Sequence, residues 1–306
     1  MTVAAIDCGT NSVRLLIADV DDAGVLHERD RVMRIVRLGE GIDRTGEFSA
    51  AALERLFTAL DEYEGLLRAH DVTRTRFVAT SASRDARNRD VFIDGVRSRI
   101  GVEPEVIPGT EEAALSFVGA VRGLPEATVA APILVVDIGG GSTEFVLGAD
   151  RPQAAVSVNV GCVRMTERHL AGDPPTAEQV RAARADIRAA IAEAARQVPF
   201  GDVRTLVGVA GSVTTVAAMA LDLPEYDASI LHGSVISRSQ VGDATLRLTA
   251  MSRAERASLG YMHPGRVDVI AGGAMVLDEV MAAVGADEVV VSETDILDGI
   301  VYSIVT

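Results

Sequence analysis

One nine-residue pattern occurs twice: Ile6-Asp7-Cys8-Gly9-Thr10-Asn11-Ser12-Val13-Arg14, and far downstream Val136-Asp137-Ile138-Gly139-Gly140-Gly141-Ser142-Thr143-Glu144. In each copy an apolar run ends at Asp, small and hydroxyl-bearing residues follow, and a second apolar run begins. This reads as strand, tight turn, strand, with a carboxylate at the strand end and a loop of exposed backbone N–H groups. Glycine puts no side chain between backbone and ligand, so such a loop is an anion cradle. Two copies predict two related domains that hold a chain of phosphates between them, with Asp7 and Asp137 placed for a metal.

The rest of the chain alternates strand and helix. Strands are expected at Val3–Cys8, Val13–Val20, within Val25–Leu38, at Arg76–Thr80 and at Val106–Ile107, with a turn at Asp21-Asp22-Ala23-Gly24. Ser49 caps a helix to about His70, with Leu53, Leu56, Leu60, Tyr63 and Leu67 at helical spacing. Ser81-Ala82-Ser83-Arg84 reads as a loop, and helices follow at Asp90–Ile100 and Glu111–Val121. A second cycle starts with a strand at Ala130–Asp137. It continues through a helix capped by Thr176 and running to Gln197, and a strand Thr205–Val209 that ends in Ala210-Gly211-Ser212. Helices at Val267–Val284 and Ile296–Val305 flank a last strand, Glu288–Val291. The fold class is α/β. Gly123, Pro125 and Pro132 place the boundary between domains 1–124 and 125–306, with the last helix, about 295–306, packing back on the first domain.

Composition removes several classes of function. At 306 residues and 48% hydrophobic, the chain is globular and long enough for two cores. Its apolar stretches are too short to span a membrane, and the N-terminus lacks the pattern of a signal peptide, which predicts a cytoplasmic protein. Cys8 and Cys162 are too few for a disulfide framework and read as buried thiols. The net charge of −15 disfavours nucleic-acid and anionic-membrane partners, so any phosphate site must be locally basic. The basic side chains are arginines throughout. Without lysine there is no Walker A lysine, no Schiff base and no lysine general base. The histidines show no metal-ligand spacing.

Six ordered motifs carry a resemblance. They are Ala5 to Ser12; Ala79-Thr80-Ser81-Ala82-Ser83-Arg84-Asp85-Ala86-Arg87-Asn88; Gly109-Thr110-Glu111-Glu112-Ala113; Asp137 to Glu144; Gly211-Ser212; and Arg266-Val267-Asp268-Val269-Ile270 with Gly272. Together they resemble the exopolyphosphatase/guanosine pentaphosphate phosphohydrolase family, in its short two-domain form. That family lies within the actin, sugar-kinase and heat-shock ATPase superfamily. The resemblance implies two ribonuclease H-like (actin-like ATPase) domains with an interdomain cleft. One departure stands near the end, where Leu297 occupies a position at which relatives often carry Arg.

The resemblance also implies roles. Glu112 becomes the general base that activates water; on local sequence alone, Glu111 and Glu112 are ordinary acids in a helix's first turn. Asp137, Glu144 and Asp7 become ligands of Mg²⁺ or another divalent cation; read locally, they are equally loop caps. Gly9, Thr10, Asn11 and Ser12, with Gly139, Gly140, Gly141 and Ser142, offer N–H and hydroxyl donors to phosphate. Arg84 lies on the substrate, where a guanidinium fork suits phosphate oxygens. Arg87 serves either the substrate or the outer face. Arg266 is a phosphate ligand or a surface pair, and Gly211-Ser212 meets phosphate at a helix N-terminus.

The expected activity is release of terminal orthophosphate from inorganic polyphosphate, chiefly short chains. The close alternative is guanosine pentaphosphate hydrolysis, so guanosine tetra- and pentaphosphate are candidate ligands, and a homodimer is expected. A kinase on this fold would need an adenosine pocket and an acceptor-binding base. Against a non-catalytic polyphosphate or alarmone sensor stand an intact Glu112 and both loops.

Overall fold

The structure, a computed structural model, describes residues 1–21 and 24–305; the turn expected at Asp21–Gly24 lies partly outside them. Two compact units divide the chain: Met1–Gly119 together with the segment starting at Ile296, and Ala120–Asp295.

In the first unit, β1 (Thr2–Cys8) pairs antiparallel with β2 (Ser12–Val20), and β3 (Leu26–Ile35) extends that side. On the other side, β4 (Arg74–Ala79) and β5 (Glu105–Val106) run parallel to β1, giving the order β3-β2-β1-β4-β5. Between the strands lie α1 (Ile42–Thr45), α2 (Ala50–Ala69), α3 (Ser81–Asp85) and α4 (Arg89–Ile100), and α5 (Gly109–Gly123) follows β5. Side chains alternate across a strand, and both faces of this sheet are apolar. Ala4, Ile6, Cys8, Val13, Leu15 and Ile17 form one core with Leu56, Leu60 and Tyr63 of α2 and Phe92 and Val96 of α4. Val3, Ala5, Leu16 and Ala18 form another with Leu115 of α5 and Ile296, Leu297, Ile300 and Val301 of the C-terminal helix. By that alternation Asp7 and Arg14 sit on the second face.

The second unit repeats the plan. β6 (Ile133–Ile138), β7 (Thr143–Gly148) and β8 (Pro152–Val158) form a meander, followed by α6 (Cys162–His169) and α7 (Ala177–Ala194). Next come β9 (Thr205–Val209), α8 (Ala210–Ala220), α9 (Ala228–Leu231), β10 (Val235–Ser237), α10 (Arg238–Ala250), α11 (Arg253–Ala257), α12 (Ile270–Val284) and β11 (Glu288–Val291). α13 (Ile296–Val305) returns to the first unit. The sheet order is β10-β11-β9-β6-β7-β8. Without the added edge strand β10, this is the order of the first sheet. The two-sheet α/β architecture expected from the duplicated motif is therefore present.

Several details differ from the sequence reading. The chain divides into its two compact units at Gly119/Ala120, inside α5, where the sequence reading put the boundary at 124/125, just past the end of that helix. Ser81–Asp85 is a one-turn helix rather than a loop. The helix read from Val267 starts at Ile270, after a 3₁₀ turn at Pro264–Arg266. α10 had no counterpart in the sequence reading although Ser237 and Gln240 form its capping box; its buried stripe (Val241, Ala244, Thr245, Leu248) is too weakly apolar to show as a period. Among the described residues no helix is long and apolar enough to cross a membrane.

α13 docks closely on α5: a Cβ at Gly299 would lie 2.0 Å from the Leu115 carbonyl oxygen. Backbone cannot swing aside as a side chain can. Gly299→Ala is therefore expected to destabilise the fold by about 1–3 kcal/mol or more, the usual cost of overpacking. Urea denaturation measures this, and an unchanged midpoint would show that the helix docks loosely.

Candidate active site

In the first unit, the parallel strands β1, β4 and β5 bring three segments together at their carboxyl ends. The β1–β2 loop closes with Gly9 N–H donating to the Ser12 carbonyl at 2.9 Å. Its own carbonyls are held from behind: Thr10 accepts from Gly39 N–H, and Asn11 accepts from Val36 and Arg37 N–H. Gly39 must be glycine for this approach, since a Cβ there would lie 2.3 Å from Thr10 Cγ2. Behind the loop, Arg14 Nη2 and Nε donate to Asp7 Oδ2 at 2.7 and 3.0 Å, directly across the β1–β2 ladder.

Arg84, on α3, places its Nη1 2.7 Å from Glu112 Oε2 and 3.0 Å from the Ile107 carbonyl. Glu112 is only 8% exposed, with its N–H on the Pro108 carbonyl at the start of α5. Its neighbour Glu111 turns instead to Arg76, at 2.7 Å on the outer side. The structure thus separates two acids that are equivalent in the sequence. Arg87 also resolves: it bonds the Thr45 carbonyl at 2.8 Å and reaches Glu47, exposed on the outer face.

In the second unit, the β6–β7 loop repeats the closure, Gly139 N–H to the Ser142 carbonyl at 3.0 Å. Its carbonyls meet the N-terminus of α6. Gly139 O accepts from Cys162 N–H, Gly140 O from Val163 and Arg164 N–H, and Gly141 O from Arg164 Nε at 2.7 Å. Helix N-termini leave N–H groups without intrahelical acceptors, and here the loop supplies them. With its carbonyls turned to α6, the loop leaves the N–H groups of Gly140, Gly141 and Ser142 without an acceptor among the described residues. Arg164, 8% exposed, had no place in the sequence reading; its only signal was an Arg within an otherwise apolar helix start.

Asp137 and Glu144 face each other across the β6–β7 ladder, both buried, and Ser157 Oγ donates to Glu144 Oε1 at 2.7 Å. Among the described residues no third acid, His or Cys joins them into a metal-binding group. The carboxyl end of β9, parallel to β6, adds Ala210-Gly211-Ser212. Ala210 has φ +71°, a left-handed conformation that is costly for a residue with a Cβ and that clusters at functional sites. The Arg266 guanidinium lies flat on Gly211, where a Cβ would be 2.3 Å from its Cζ, and Nη1 donates to Thr215 Oγ1 at 3.2 Å.

Ser212 hydrogen-bonds Cys162, whose thiol is pushed up by burial against the lowering effect of Ser212 and Arg266. Burial also raises Cys8 well above the usual thiol range, so neither is a nucleophile at neutral pH. Leu297 is 1% exposed within the first unit's core, and Arg31 pairs with Asp298 at 2.7 Å.

Residues 16–306 match a known family, described as Ppx/GppA phosphatase. This chain belongs to the Ppx/GppA phosphatase family. It is 49% identical to "Exopolyphosphatase 2" of Mycobacterium tuberculosis, over 99% of this chain and 98% of that protein. The crystal structure of an exopolyphosphatase-like protein, 47% identical, superposes with a TM-score of 0.96 over 99% of this chain and 97% of that one. The Ppx/GppA family member from Aquifex aeolicus, 30% identical, superposes with a TM-score of 0.83 over 100% of this chain and 97% of that one. The protein is a phosphohydrolase, and the Ppx/GppA fold accounts for its two related α/β units.

Arg164→Gln removes the charged donor from the Gly141 carbonyl and lets that peptide turn. A hydrogen bond to a charged group contributes about 1.5–3 kcal/mol, so KM is expected to rise by roughly tenfold or more, with a smaller change in kcat. Steady-state kinetics decide; an unchanged KM would show that α6 holds the loop without this side chain.

Proposed function

We propose that the protein is an exopolyphosphatase that releases terminal orthophosphate from inorganic polyphosphate, with Glu112 as general base. The observation that carries this reading is the Glu112–Arg84 contact of 2.7 Å at the carboxyl ends of parallel strands. A general base must be ionised and fixed, and an adjacent guanidinium does both. Arg84 uses Nη1 for Glu112 and for Ile107, which leaves the Nε–H and Nη2 edge of its planar fork for phosphate oxygens. The full-length similarity to a protein named exopolyphosphatase supports the substrate.

In the reaction, Glu112 accepts a proton from water as the water oxygen attacks the terminal phosphorus. The bond from that phosphorus to the bridging oxygen breaks. Orthophosphate and a chain one phosphate shorter depart. Arg84, beside Glu112 in the same unit, stabilises charge on the phosphoryl oxygens, and within the second unit the N–H groups of Gly140, Gly141 and Ser142 and the Arg266 guanidinium offer donors of the same kind.

Asp137 and Glu144 fit Mg²⁺ or another hard divalent cation. They offer oxygen donors only, from opposed strand positions, with Glu144 oriented by Ser157, and water and phosphate oxygens normally complete such a site. The cation supplies neutralisation of phosphate charge.

Phosphate release from polyphosphates of defined length and from guanosine pentaphosphate, measured side by side, tests the substrate. Faster turnover of the nucleotide would overturn the polyphosphate assignment. Glu112→Gln is expected to lower activity by roughly 10²–10⁴-fold, as for loss of a general base, while substrate binding persists. Near-normal turnover would remove Glu112 from this role.

Asp137→Asn and Glu144→Gln should each raise the Mg²⁺ concentration needed for half-maximal activity. Identical metal titrations would make them structural acids.

Chain length follows from charge. With no lysine, a net charge of −15 and Arg84 and Arg266 as the guanidiniums assigned to phosphate, the protein has few contacts for a long polyanion. Short chains and distributive release are expected, visible on gels as a gradually shortening ladder. Complete loss of some long chains while the rest stay full length would contradict it.

A further inference from the structure

Two hydroxyls stand next to each other on α8, and each serves a different chain of contacts. Thr215 Oγ1 accepts from Arg266 Nη1 at 3.2 Å, on the guanidinium that lies flat on Gly211. Thr214 Oγ1 lies 2.8 Å from the Tyr226 phenol oxygen, which in turn lies 2.6 Å from Glu293 Oε1. A phenol has one proton to donate. The carboxylate is the stronger acceptor and takes it, while the Thr214 hydroxyl turns its own proton to the phenol oxygen. All of these residues belong to the second unit.

Glu293 is held at both ends. Its N–H donates to His232 Nδ1 at 3.2 Å, so the ring proton sits on Nε2, which donates to the Gly123 carbonyl at 2.9 Å. Tyr226 holds the carboxyl end. Among the described residues no hydrogen bond or ion pair joins Glu293 to Arg266. The two are nevertheless within electrostatic reach. Burial raises the Glu293 carboxyl above its usual range, against the lowering effects of the Tyr226 hydrogen bond, Arg266 and His232, and Asp295 adds to the rise. Burial and the Glu293 carboxyl raise the Tyr226 phenol, against Thr214 and Arg266. Tyr226 therefore keeps its proton and remains a donor at any pH at which Glu293 ionises.

A carboxylate released beside a guanidinium pairs with it, and a phosphate then has to displace that carboxylate in order to bind. We propose that Tyr226 is a positioning residue that holds the Glu293 carboxylate off Arg266, so that Glu293 does not compete with substrate phosphate for that guanidinium. The proposal rests on the reading of Arg266 as a phosphate donor given above.

Tripolyphosphate binding to the whole chain tests this, measured by titration calorimetry in the Glu112→Gln background and at fixed Mg²⁺ so that no turnover intervenes. Tyr226→Phe removes only the phenol oxygen. At neutral pH its Kd should rise roughly tenfold over the background protein, the order of one hydrogen bond to a charged group. Only ionised Glu293 competes for Arg266. The ratio of the two Kd values should therefore be fully developed above the Glu293 titration and fall toward one as the pH drops through it. Asp295, His232 and His263 contribute to both proteins, so the ratio removes their effect. Adding Glu293→Gln to Tyr226→Phe should restore tight binding at neutral pH, because a neutral amide does not compete as an ion. A phenol with a merely structural role would lower the melting temperature without a pH-dependent ratio. An unchanged Kd in Tyr226→Phe, a rise independent of pH, or a rise that Glu293→Gln does not relieve would each overturn the proposal. If Tyr226→Phe does not fold, as judged by circular dichroism, Thr214→Val withdraws the hydroxyl that orients the phenol; it should raise Kd with the same pH dependence, and an unchanged Kd there would count against the proposal equally. Failure of the Arg266 reading appears separately, as an Arg266→Gln protein with undiminished tripolyphosphate affinity, and removes the proposal's premise. Failure of the exopolyphosphatase assignment appears as absent phosphate release by the protein with Glu112 intact, while the Kd ratios stand.

Discussion

The backbone carbonyls of Gly139, Gly140 and Gly141 all point to one partner, the first turn of α6 with the Arg164 side chain. That choice fixes the peptide planes of the loop and therefore the direction of its N–H groups. It also imposes requirements further away. Gly161 must lack a side chain, because a Cβ there would lie 2.5 Å from the Gly140 carbonyl oxygen. α12 must pass α6 and α8 closely, which it does at Gly272 and Gly273, where a Cβ would meet the Cys162 carbonyl at 2.8 Å and Ser212 Oγ at 2.2 Å. A side chain added at Gly272 would thus press on the backbone of α6, which in turn holds the β6–β7 loop.

The first unit meets the same requirement by different means. There the loop carbonyls of Thr10 and Asn11 are held by N–H groups of the segment after β3, with Gly39 as the point of closest approach. What duplicates between the units is the hairpin and the strand order, while the support behind each hairpin has diverged. Divergence extends to charge, with Arg14 in one copy and Glu144 in the other. Two copies of one hairpin closure thus carry side chains of opposite charge across from their Asp.

Much of this was legible in the sequence because it rests on short-range rules. Apolar runs broken by an Asp and a small-residue turn placed both hairpins, and helical spacing together with Ser49 placed α2, whose Ala52 N–H the serine caps at 3.1 Å. The fold class follows from the alternation of strands and helices. Roles that depend on a partner distant in sequence were not legible from the residues alone. Nothing local separates Glu111 from Glu112; Arg76 and Arg84, on β4 and α3, do so. Arg14 was in plain view within the first motif, yet its effect on Asp7 needs the ladder register. Arg164 is still further from reach, since its meaning lies in a carbonyl 23 positions earlier in the chain.

An acidic protein proposed to act on a polyanion presents an apparent conflict, and distance resolves it. Exposed charges separated by more than about 8 Å are largely screened at physiological ionic strength. The overall charge of −15 therefore governs approach, while affinity is set within a few ångströms of the phosphates. Each guanidinium assigned to phosphate in the proposed function is already held in place: Arg84 by Glu112 and the Ile107 carbonyl, Arg266 by Gly211 and Thr215. Prior fixation lowers the entropy lost when an arginine meets phosphate, so a few ordered arginines can do what many mobile lysines would otherwise do. On the proposed function the cost falls on long chains, whose outer phosphates meet a protein of net charge −15, and such a site would suit the terminal phosphate rather than the length of the polymer.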